Sequence, residues 1–310
     1  MKKIIALIIM AAMVIGVCFY LSEMEYQDTV FALNTNVVIT AKGFGSQAAV
    51  KAAVERVKEL DGQLSAHLDS SDVWKINNGS EKWGQRDTIR VINRGIYFSK
   101  LSGGVFDVTI MPLVRLWKEN SEPTGEEIEA AQALVDYTLL QENNALPPDM
   151  AIDLGGIAKG FVADEIAVAL RKNGIKSAII DAGGNVLAMG DEPCVVGIQT
   201  PFASSGQYVG TVTVSDKTVV TSGLYERGMH IIDPRTGRPV ENEVLSATVI
   251  CDVSMDADAL STILFILGED GFQILEQYGA EGILINKAKQ VKTTKGADFI
   301  ITDSTYTMGD

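Results

Sequence analysis

The first part of the chain combines a stretch of β-strand pattern with longer stretches at helical spacing. Residues 23–42 alternate between apolar and polar side chains and are rich in β-branched residues, which predicts a strand. The next segment has apolar side chains at helical spacing with charges between them, at Val50, Val54, Val57, Leu60 and Leu64. We predict an amphipathic helix there and a second helix that ends at Gly103-Gly104. Pro112 is predicted to break the segment that follows.

The rest of the chain mixes helices with short strands. Residues 126–140 predict a helix that runs into a strand, and a further short strand is expected to end at Asp153, before a helix that begins near Ala158. More short strands are predicted at residues 176–185, 194–199, 208–214, 217–223, 230–233 and 245–253. This mixture favours an α+β fold, with mixed, largely antiparallel sheets and packed helices, over a doubly wound sheet.

The N-terminus differs from the rest of the chain. Two lysines precede an apolar run from Ile4 to Leu21, which is typical of a signal sequence or a membrane anchor. We therefore separate residues 1–22 from a single domain over residues 23–310. An uncleaved anchor, a lipoprotein processed at Cys18 and plain secretion all stay open. Because lysines before such a run favour an amino end kept inside, we expect the body at the extracytoplasmic face of the cell membrane.

Composition narrows the range of partners. The 310 residues carry a net charge of −14, which argues against a nucleic-acid partner and against electrostatic docking on an anionic membrane surface. An anionic ligand would therefore need local cations, backbone N–H groups or a metal. Outside the N-terminal segment only Cys194 and Cys251 remain, so neither a disulfide framework nor zinc-ligand spacing is present. Both are expected to be buried small residues, with one bridge between them left open.

The stretch AIDLGGIAKGFVADEIA, residues 151–167, combines glycines and a lysine with the start of a helix. Glycines permit close backbone approach, helix N-terminal N–H groups attract anions, and Lys159 adds a positive charge. The stretch matches neither the P-loop nor the dinucleotide fingerprint, since the lysine precedes the third glycine and Phe161 replaces a hydroxyl residue. By itself the stretch supports an anion-binding loop and a structural glycine turn equally.

A helix that begins at Ser254 is apolar on nearly all sides and is therefore predicted to be buried. Ser254 can cap it, and Asp256 and Asp258 lie in its first turns, where negative charge suits the helix dipole. Ser261 and Thr262 are three and four residues after Asp258 and share its face. A buried carboxylate needs a partner, and with a hydroxyl beside it Mg²⁺ is a reasonable one.

Two further stretches carry candidate chemistry. His230 follows Thr221-Ser222-Gly223 and precedes a turn with Asp233, although a lone histidine is more often structural than catalytic. Phe106 and Asp107 follow a glycine pair and could hold a ring with amide or amino groups. A core phenylalanine with a capping aspartate explains the same pair.

Together and in this order, these segments resemble the ApbE family of FAD:protein FMN transferases. The motifs that carry the resemblance are SGGVFDVTIMPLVRLW, DLGGIAKGFVAD, DAGGNVLAMG, VGIQTP, VVTSGLYER, HIIDPRTGRPV and ADALSTILFILG. They cover most of residues 61–268, and DLGGIAKG and HIIDPRTG are the specific ones. The resemblance implies a T-fold-like α+β fold and an exported or lipid-anchored placement.

The resemblance also implies a reaction. FAD is split at its pyrophosphate, the FMN half is joined to a Thr (or Ser) of an acceptor flavoprotein, and AMP leaves. Mg²⁺ is the implied cofactor, and its ligands fall on the Gly156 carbonyl and on the side chains of Asp258 and Thr262, with Ser261 as a further candidate. His230 is the implied base for the acceptor hydroxyl, and Asp258 shares that candidacy.

The implied contacts with FAD are spread along the chain. They fall on Leu33, His67, Val105, Phe106, Asp107, Asp153, Lys159 and Ile232. The sequence departs from the family pattern at residues 33–35, where Leu-Asn-Thr replaces Met-Gly-Thr, and at His67, where a tyrosine is expected. The usual Asn-x-Gly-Gly-Asp is Asp-Ala-Gly-Gly-Asn at residues 181–185. These departures leave the implied metal cluster intact.

Two other functions stay open. One is a Mg²⁺-dependent FAD pyrophosphatase that produces FMN and AMP. The other is a non-catalytic, membrane-tethered FAD-binding protein. If the transfer reaction is right, the acceptor is expected to be a membrane redox pump subunit or an exported flavoprotein.

Overall fold

The computed structural model describes residue 10 and residues 23–140, 145–204, 206–223 and 231–309. The segment predicted to be an anchor or signal therefore lies outside the described residues, except for Met10. Within the described ranges, no helix is both long enough and apolar enough to cross a membrane.

The strand predicted over residues 23–42 is in fact two strands joined by a tight turn. They are β1 (Glu25–Ala32) and β2 (Thr35–Lys42), which pair antiparallel. Leu33 and Asn34 between them have φ of 48° and 59°, the left-handed conformations that a two-residue hairpin turn of this type requires. The sequence hides the turn because neither residue is glycine. The N–H of Leu33 donates to Asp61 at 2.9 Å, which supports the strained position.

Two sheets form the frame of the protein. The further strands are β3 (Ser177–Ala182), β4 (Asn185–Met189), β5 (Cys194–Gln199), β6 (Tyr208–Val214), β7 (Lys217–Gly223), β8 (Ile232–Asp233), β9 (Arg238–Pro239), β10 (Val244–Cys251), β11 (Glu281–Asn286), β12 (Gln290–Thr293), β13 (Phe299–Ile301) and β14 (Thr307–Met308). The large sheet has the order β1-β2-β3-β4-β7-β10-β11-β12-β14, and the small sheet the order β13-β6-β5. Among these described strands, the β12–β14 pair is parallel and the other neighbours are antiparallel. The predicted α+β fold with largely antiparallel sheets is confirmed.

Helices cover one face of the large sheet. They are α1 (Ser46–Leu64), α2 (Asp72–Asn77), α3 (Arg86–Leu101), α4 (Met111–Glu119), α5 (Gly125–Gln132), α6 (Ala158–Lys172), α7 (Ser254–Leu267) and α8 (Gly271–Tyr278). Pro112 does not break this segment, because it lies in the first turn of α4, where a missing N–H is tolerated.

Two predicted strands are wrong. The one expected after α5 is a 3₁₀ turn at Tyr137–Leu139. The one expected to end at Asp153 is reduced to a single parallel bridge between Ile110 and Ala151. A strand needs a partner to complete its ladder, and an apolar pattern alone does not supply one.

The large sheet separates two hydrophobic cores. On one face α1, α6 and α7 pack on each other and on the sheet. On the other face a smaller core, which includes Val196, Val212 and Ile250, lies between the two sheets. Successive residues of a strand therefore point to different cores: Val220 of β7 belongs to the helix-side core, and Val219 to the core between the sheets.

The N-terminus of α7 is capped by a side chain from α6. Asp164 accepts hydrogen bonds from the backbone N–H groups of Ser254 and Met255, each at 2.9 Å. The hydroxyl of Ser254 is bonded instead to Thr218 of β7 at 3.1 Å. The predicted capping role of Ser254 is therefore wrong, because the cap comes from a residue 90 positions away, where a local sequence rule does not look.

We expect the Asp164→Asn variant to change how stability depends on pH. Burial raises the pKa of Asp164 to about 6, and the N–H groups that it accepts from oppose this only in part. A carboxyl group with a raised pKa binds more protons when folded, so the wild type loses free energy of unfolding as the pH rises from about 4 to about 6. Asparagine does not titrate. In urea denaturation, the free energy of unfolding of the wild type should therefore fall by about 3 kcal/mol relative to that of the variant across this pH range. A difference that does not vary with pH would contradict the raised pKa.

Asp256, also in the first turn of α7, fastens the helix to its neighbours. Arg94 of α3 forms a two-pronged ion pair with its carboxylate at 2.7 Å per contact, and the hydroxyl of Tyr278 of α8 donates to it. Asp256 is 2% exposed, so this buried network links α3, α7 and α8. Asp256 therefore joins three helices, whereas the sequence suggested that it compensates the helix dipole.

The two cysteines of the described residues are free. Cys251 is buried, and burial raises its pKa to about 12, so it is a protonated thiol. Cys194 is half-buried in the small sheet. The bridge that the sequence left open does not form, and of the two only Cys251 is a fully buried small residue.

Candidate active site at one end of the large sheet

The antiparallel register brings several turns to the same end of the large sheet. Val37 at the start of β2 pairs with Ala182 at the end of β3. Asn185 at the start of β4 pairs with Val220 in the middle of β7. The β1–β2 turn, the β3–β4 turn and the carboxyl end of β7 therefore lie at one end of the sheet, which we call the site end.

Helix α7 carries its polar residues toward the site end. Thr218 at the start of β7 contacts Ser254 at the start of α7, with 3.1 Å between their hydroxyl oxygens. Ser222 near the end of β7 contacts Ser261, with 2.8 Å between theirs. Strand and helix therefore run in the same direction, and Thr262, the next residue of α7, reaches the site end.

The carboxylate of Asp258 is the centre of the candidate site. It is 2% exposed, as expected for this apolar helix. The ammonium group of Lys159 lies 3.0 Å from one carboxylate oxygen and 3.4 Å from the other, and the N–H of Gly160 donates to it at 3.0 Å. Burying a carboxylate is costly without such partners. The two segments singled out in the sequence therefore meet, with Lys159 as the partner that Asp258 required.

Gly160 allows α6 and α7 to approach at backbone distance. A Cβ atom at this position would lie 2.1 Å from the carbonyl oxygen of Ser254 and 2.7 Å from the Cα atom of Met255. Both obstacles are backbone atoms, so a side chain would have to push the helices apart. The third glycine of the sequence stretch is thus a condition for the contact between Lys159 and Asp258.

The glycine loop before α6 is held by its own charged residues. Asp153 is half-buried and accepts a hydrogen bond from the N–H of Gly155 at 2.8 Å. Lys159 donates to the carbonyl oxygen of Gly155 at 3.1 Å as well as to the carboxylate of α7. Lys159 therefore ties the loop to α7, and Asp153 shapes the turn.

Gly156 lies between an aromatic ring and a hydroxyl group. A Cβ atom on Gly156 would be 3.0 Å from the ring of Phe106 and 3.5 Å from the hydroxyl oxygen of Thr262. The ring of Phe106 and the hydroxyl of Thr262 therefore lie beside Gly156, and the predicted residues of three separate motifs form one cluster.

The oxygen atoms of this cluster suit a hard divalent cation. Gly156 offers a carbonyl, Asp258 a carboxylate and Thr262 a hydroxyl, which are ligand types that Mg²⁺ accepts. The hydroxyl of Thr262 is partly exposed and makes only a long contact of 3.4 Å with the carbonyl of Asp258. Ser261 differs, because its hydroxyl is fully buried and bonded to that carbonyl at 2.9 Å and to a serine of β7.

Clusters of three or more His, Cys, Asp or Glu side chains suited to a metal are absent from the described part of the chain. The predicted ligand set contains one carboxylate together with hydroxyl and carbonyl oxygens, so it is not a cluster of that kind. The donor set fits the cation through its oxygen chemistry.

Phe106 and Asp107 lie in a buried turn after α3. Val105, Phe106 and Asp107 are 4%, 6% and 7% exposed. The carboxylate of Asp107 accepts hydrogen bonds from the N–H and hydroxyl of Thr109 at 2.8 and 2.7 Å, and from the N–H of Tyr137 at 3.1 Å. Burial raises its pKa above the usual value although these bonds oppose the shift. Asp107 thus organises two turns, and the Phe106 ring is the part that reaches the cluster.

The other residues predicted to contact FAD lie in different places. Leu33 is half-buried in the β1–β2 turn, at the site end. His67 is exposed in the segment after α1. Ile232 is buried in a separate small cluster with side chains of α4 and α5. His230, the predicted base, lies outside the described residues.

Sequence reasoning missed three groups of the site and its support. They are Asn185 at the start of β4, Asp164 under α7, and Arg94 beside Asp256. The position of Asn185 directly after Gly183-Gly184 was an available signal. Asp164 and Arg94 act on residues far away in the chain, so no local pattern marks them.

Comparison with known proteins places the chain in a family. The model of the ApbE family matches residues 29–284. A protein of Klebsiella pneumoniae (strain 342) named FAD:protein FMN transferase is 32% identical over 268 residues, which cover 79% of this chain and 84% of that protein. A protein of the same name from Treponema pallidum (strain Nichols) is 29% identical, covering 88% of this chain and 87% of its own.

Solved structures agree with these relatives. The flavin transferase ApbE from Vibrio cholerae superposes with a TM-score of 0.76 at 27% identity, covering 91% of this chain and 98% of that one. The ApbE protein from Thermotoga maritima gives a TM-score of 0.77 at 28% identity, covering 90% and 97%. The family model spans most of the chain, and the similar curated relatives share one enzyme name. The protein is therefore an enzyme of the ApbE family.

Proposed function

We propose that this protein is an FAD:protein FMN transferase that acts with Mg²⁺ on a Thr (or Ser) side chain of an acceptor flavoprotein. The acceptor hydroxyl oxygen attacks the phosphorus atom of the FMN half of FAD, and a new phosphoester bond forms. The bond between that phosphorus and the oxygen bridging to AMP breaks, and AMP leaves with the bridging oxygen. The hydroxyl proton passes to a base. The observation that carries the proposal is the buried contact between Lys159 and Asp258, beside the hydroxyl of Thr262.

Negative charge on the substrate is expected at the N-terminus of α6. The first N–H groups of a helix attract anions, and Lys159 in this first turn adds a full positive charge. In an acidic protein these groups provide the local cationic environment that a pyrophosphate needs. Gly155 is exposed and has no side chain, so phosphate oxygens could approach its main chain.

Gly156, Asp258 and Thr262 would hold Mg²⁺ through a carbonyl, a carboxylate and a hydroxyl. Bound there, Mg²⁺ would neutralise phosphate charge and act as a Lewis acid. Lys159 compensates the carboxylate when no cation is present, and it would bind a phosphate oxygen when a cation takes its place. The hydroxyl of Ser261 is bonded to the main-chain carbonyl of Asp258 and to Ser222, so it is the weaker candidate for a ligand.

The acceptor hydroxyl is a weak nucleophile and gains from a base. Asp258 is one candidate, since its carboxylate lies at the cluster. His230 is the other, carried by the family resemblance of HIIDPRTG. For FAD itself, the contacts proposed are Leu33, His67, Val105, Phe106, Asp107, Asp153, Lys159 and Ile232. The site-end position of Leu33 and the contact of Phe106 with Gly156 support two of these directly.

We also propose that the protein is held at the extracytoplasmic face of the cell membrane by residues 1–22, as an anchor or through a lipid at Cys18. The two lysines and the apolar run that follows them support this placement. Residues 23–310 would then form the flavin transferase domain. Its acceptor would be a membrane redox pump subunit or an exported flavoprotein.

The function is tested with the full chain in detergent, FAD, Mg²⁺ and a candidate acceptor that is co-expressed or added. Mass spectrometry of the acceptor should show an adduct of FMN less one water on a threonine or serine, and AMP should be released in equal amount. If AMP and free FMN accumulate while the acceptor stays unmodified, the protein is a pyrophosphatase. If FAD stays bound and intact after Mg²⁺ is added, it is a flavin-binding protein.

A further inference from the structure

Asn185 is a buried amide without a hydrogen-bond partner. The residue is 1% exposed, and neither its amide nitrogen nor its amide oxygen has a partner in the described structure. Buried polar side chains in folded proteins are nearly always hydrogen-bonded, because a buried donor or acceptor without a partner costs stability. The amide of Asn185 therefore has a donor and an acceptor that are both free to pair with a ligand.

The register of the large sheet places this amide on the face of the candidate site. Asn185 is directly opposite Val220 of β7, which belongs to the helix-side core. Ser222 is two residues farther along β7 and projects from the same face, where its hydroxyl contacts Ser261 of α7. Diagonal neighbours on one face of a sheet are about 7 Å apart. The amide therefore lies under the end of α7 that carries Thr262.

The position in the β3–β4 turn agrees with this placement. Gly183, two residues before Asn185, lies close to Thr35, since a Cβ on Gly183 would be 2.1 Å from the threonine hydroxyl. Asn185 thus starts its strand directly beside the β1–β2 turn at the site end. Asp181 on the same hairpin accepts from the N–H of Gly184 at 3.2 Å and so serves the turn itself. Asn185 is not needed for that purpose.

Another unpartnered group provides a contrast. The hydroxyl of Ser246 in β10 is fully buried and also lacks a partner in the described structure. Ser246 is opposite Ile285, which belongs to the core between the two sheets. It therefore points away from α7 and from the site. The two groups are alike in burial and differ in the face that they occupy, which makes Ser246 a matched control.

We propose that Asn185 binds the edge of a heterocyclic ring of the dinucleotide substrate, an edge with a hydrogen-bond donor next to an acceptor. This inference rests on the proposed function. Both amide atoms lack partners, so the ligand must supply a donor to the oxygen and an acceptor to the nitrogen. A phosphate group supplies acceptors only. Two rings of FAD have the required edge: the flavin, with an N–H between two carbonyls, and adenine, with an amino group beside a ring nitrogen.

This contact would select the substrate. A site whose buried polar groups match a substrate's donor and acceptor discriminates strongly against an analogue that lacks them, because the protein groups are then left unpaired again. Asn185 would bind a ring of the substrate, whereas Lys159 and Asp258 are proposed to act at its phosphates. Its loss should therefore weaken binding of one half of FAD and leave the other half unaffected.

The test compares Asn185→Leu, which keeps the number and branching of the side-chain heavy atoms and removes both polar atoms, with Ser246→Ala, in the full chain and in metal-free buffer. Binding of FMN and of AMP is measured separately by calorimetry, and thermal unfolding is recorded without ligand. For Asn185→Leu we expect a loss of affinity on the order of 10- to 100-fold for FMN or for AMP, not both. The half that is lost identifies the ring. The ligand-free variant should unfold at the same temperature as the wild type or higher. Ser246→Ala should bind both halves normally.

Analogues of FMN and AMP then test which ring Asn185 binds. If the flavin is bound, N3-methylated FMN should bind the wild type more weakly than FMN and bind Asn185→Leu as FMN does. If adenine is bound, purine riboside 5′-monophosphate, which lacks the 6-amino donor, should behave in this way relative to AMP. The inference is overturned if Asn185→Leu binds both halves as the wild type does. It is also overturned if the variant unfolds at a lower temperature and binds both halves equally weakly, which is the result of a structural role. If the wild type transfers FMN while Asn185→Leu binds both halves normally, the inference about Asn185 is wrong and the proposed function still stands. If the wild type binds no FAD, the inference and the proposed function are both wrong.

Discussion

The Asp258→Asn variant should lose Mg²⁺-dependent FMN transfer by about 100- to 1,000-fold. The substitution keeps the size of the side chain and removes the negative charge that Lys159 neutralises at 3.0 Å. Without that charge, the remaining oxygens of Gly156 and Thr262 are neutral and would hold a divalent cation poorly. Transfer is measured as FMN-modified acceptor over time. Addition of Mg²⁺ should raise the unfolding temperature of the wild type and leave that of the variant unchanged, because only a bound ligand stabilises the folded state.

The matched control for this variant is Asp256→Asn on the same helix. Asp256 is equally buried, at 2% exposure, but its carboxylate is bonded to Arg94 and Tyr278 and faces away from the cluster. We expect this control to lose stability and to keep both Mg²⁺-dependent transfer and the shift of unfolding temperature with Mg²⁺. If Asp258→Asn retained Mg²⁺-dependent turnover near the wild-type rate, the carboxylate would not be a metal ligand and the proposed site would be wrong.

The Gly160→Ala variant should be destabilised by about 3 kcal/mol or more, as expected for an overpacked core. Its Cβ would lie 2.1 Å from the carbonyl oxygen of Ser254, so α6 and α7 would have to separate. The separation would also move Lys159 and the N–H of residue 160 away from Asp258, and activity should fall with stability. The free energy of unfolding is measured by urea denaturation.

Gly62→Ala is the control for Gly160→Ala. Gly62 is also within a helix, α1, and a Cβ atom there meets nothing within 4 Å. Alanine in an unobstructed helical position should stabilise the protein by about 0.5–1 kcal/mol. The two identical substitutions should thus have opposite signs. A Gly160→Ala variant as stable as the wild type would show that the two helices are not packed at backbone distance.

Much of the fold followed from periodicity. The apolar stripe of α1 and the buried character of α7 were visible because helical spacing records which face is covered. The errors occurred where local pattern and chain path differ. The alternation of apolar and polar residues continues through the Leu33-Asn34 turn, so the pattern predicts one strand where the structure has two. Pro112 predicts a break by its residue type, although the first turn of a helix tolerates proline.

The candidate site was predictable in its residue types and not in its pairing. Asp258 needed a partner because a buried carboxylate always does, and the hydroxyls beside it suggested a cation. That its partner in this structure is Lys159, 99 residues earlier in the chain, depends on the packing of α6 against α7. The same packing explains Gly160, for which the sequence indicated only close approach.

The sequence by itself determined most of the elements, the fold class and the family, and it named the residues that we propose to bind an anion and a metal. These depend on spacing and on side-chain chemistry, which are properties of neighbouring positions. Only the tertiary structure decided which charge neutralises which, that Asp164 caps α7, and that Asn185 faces the site while Ser246 faces the other core. Those outcomes depend on strand register and helix packing, and a shift of one residue in register would turn each side chain to the opposite face.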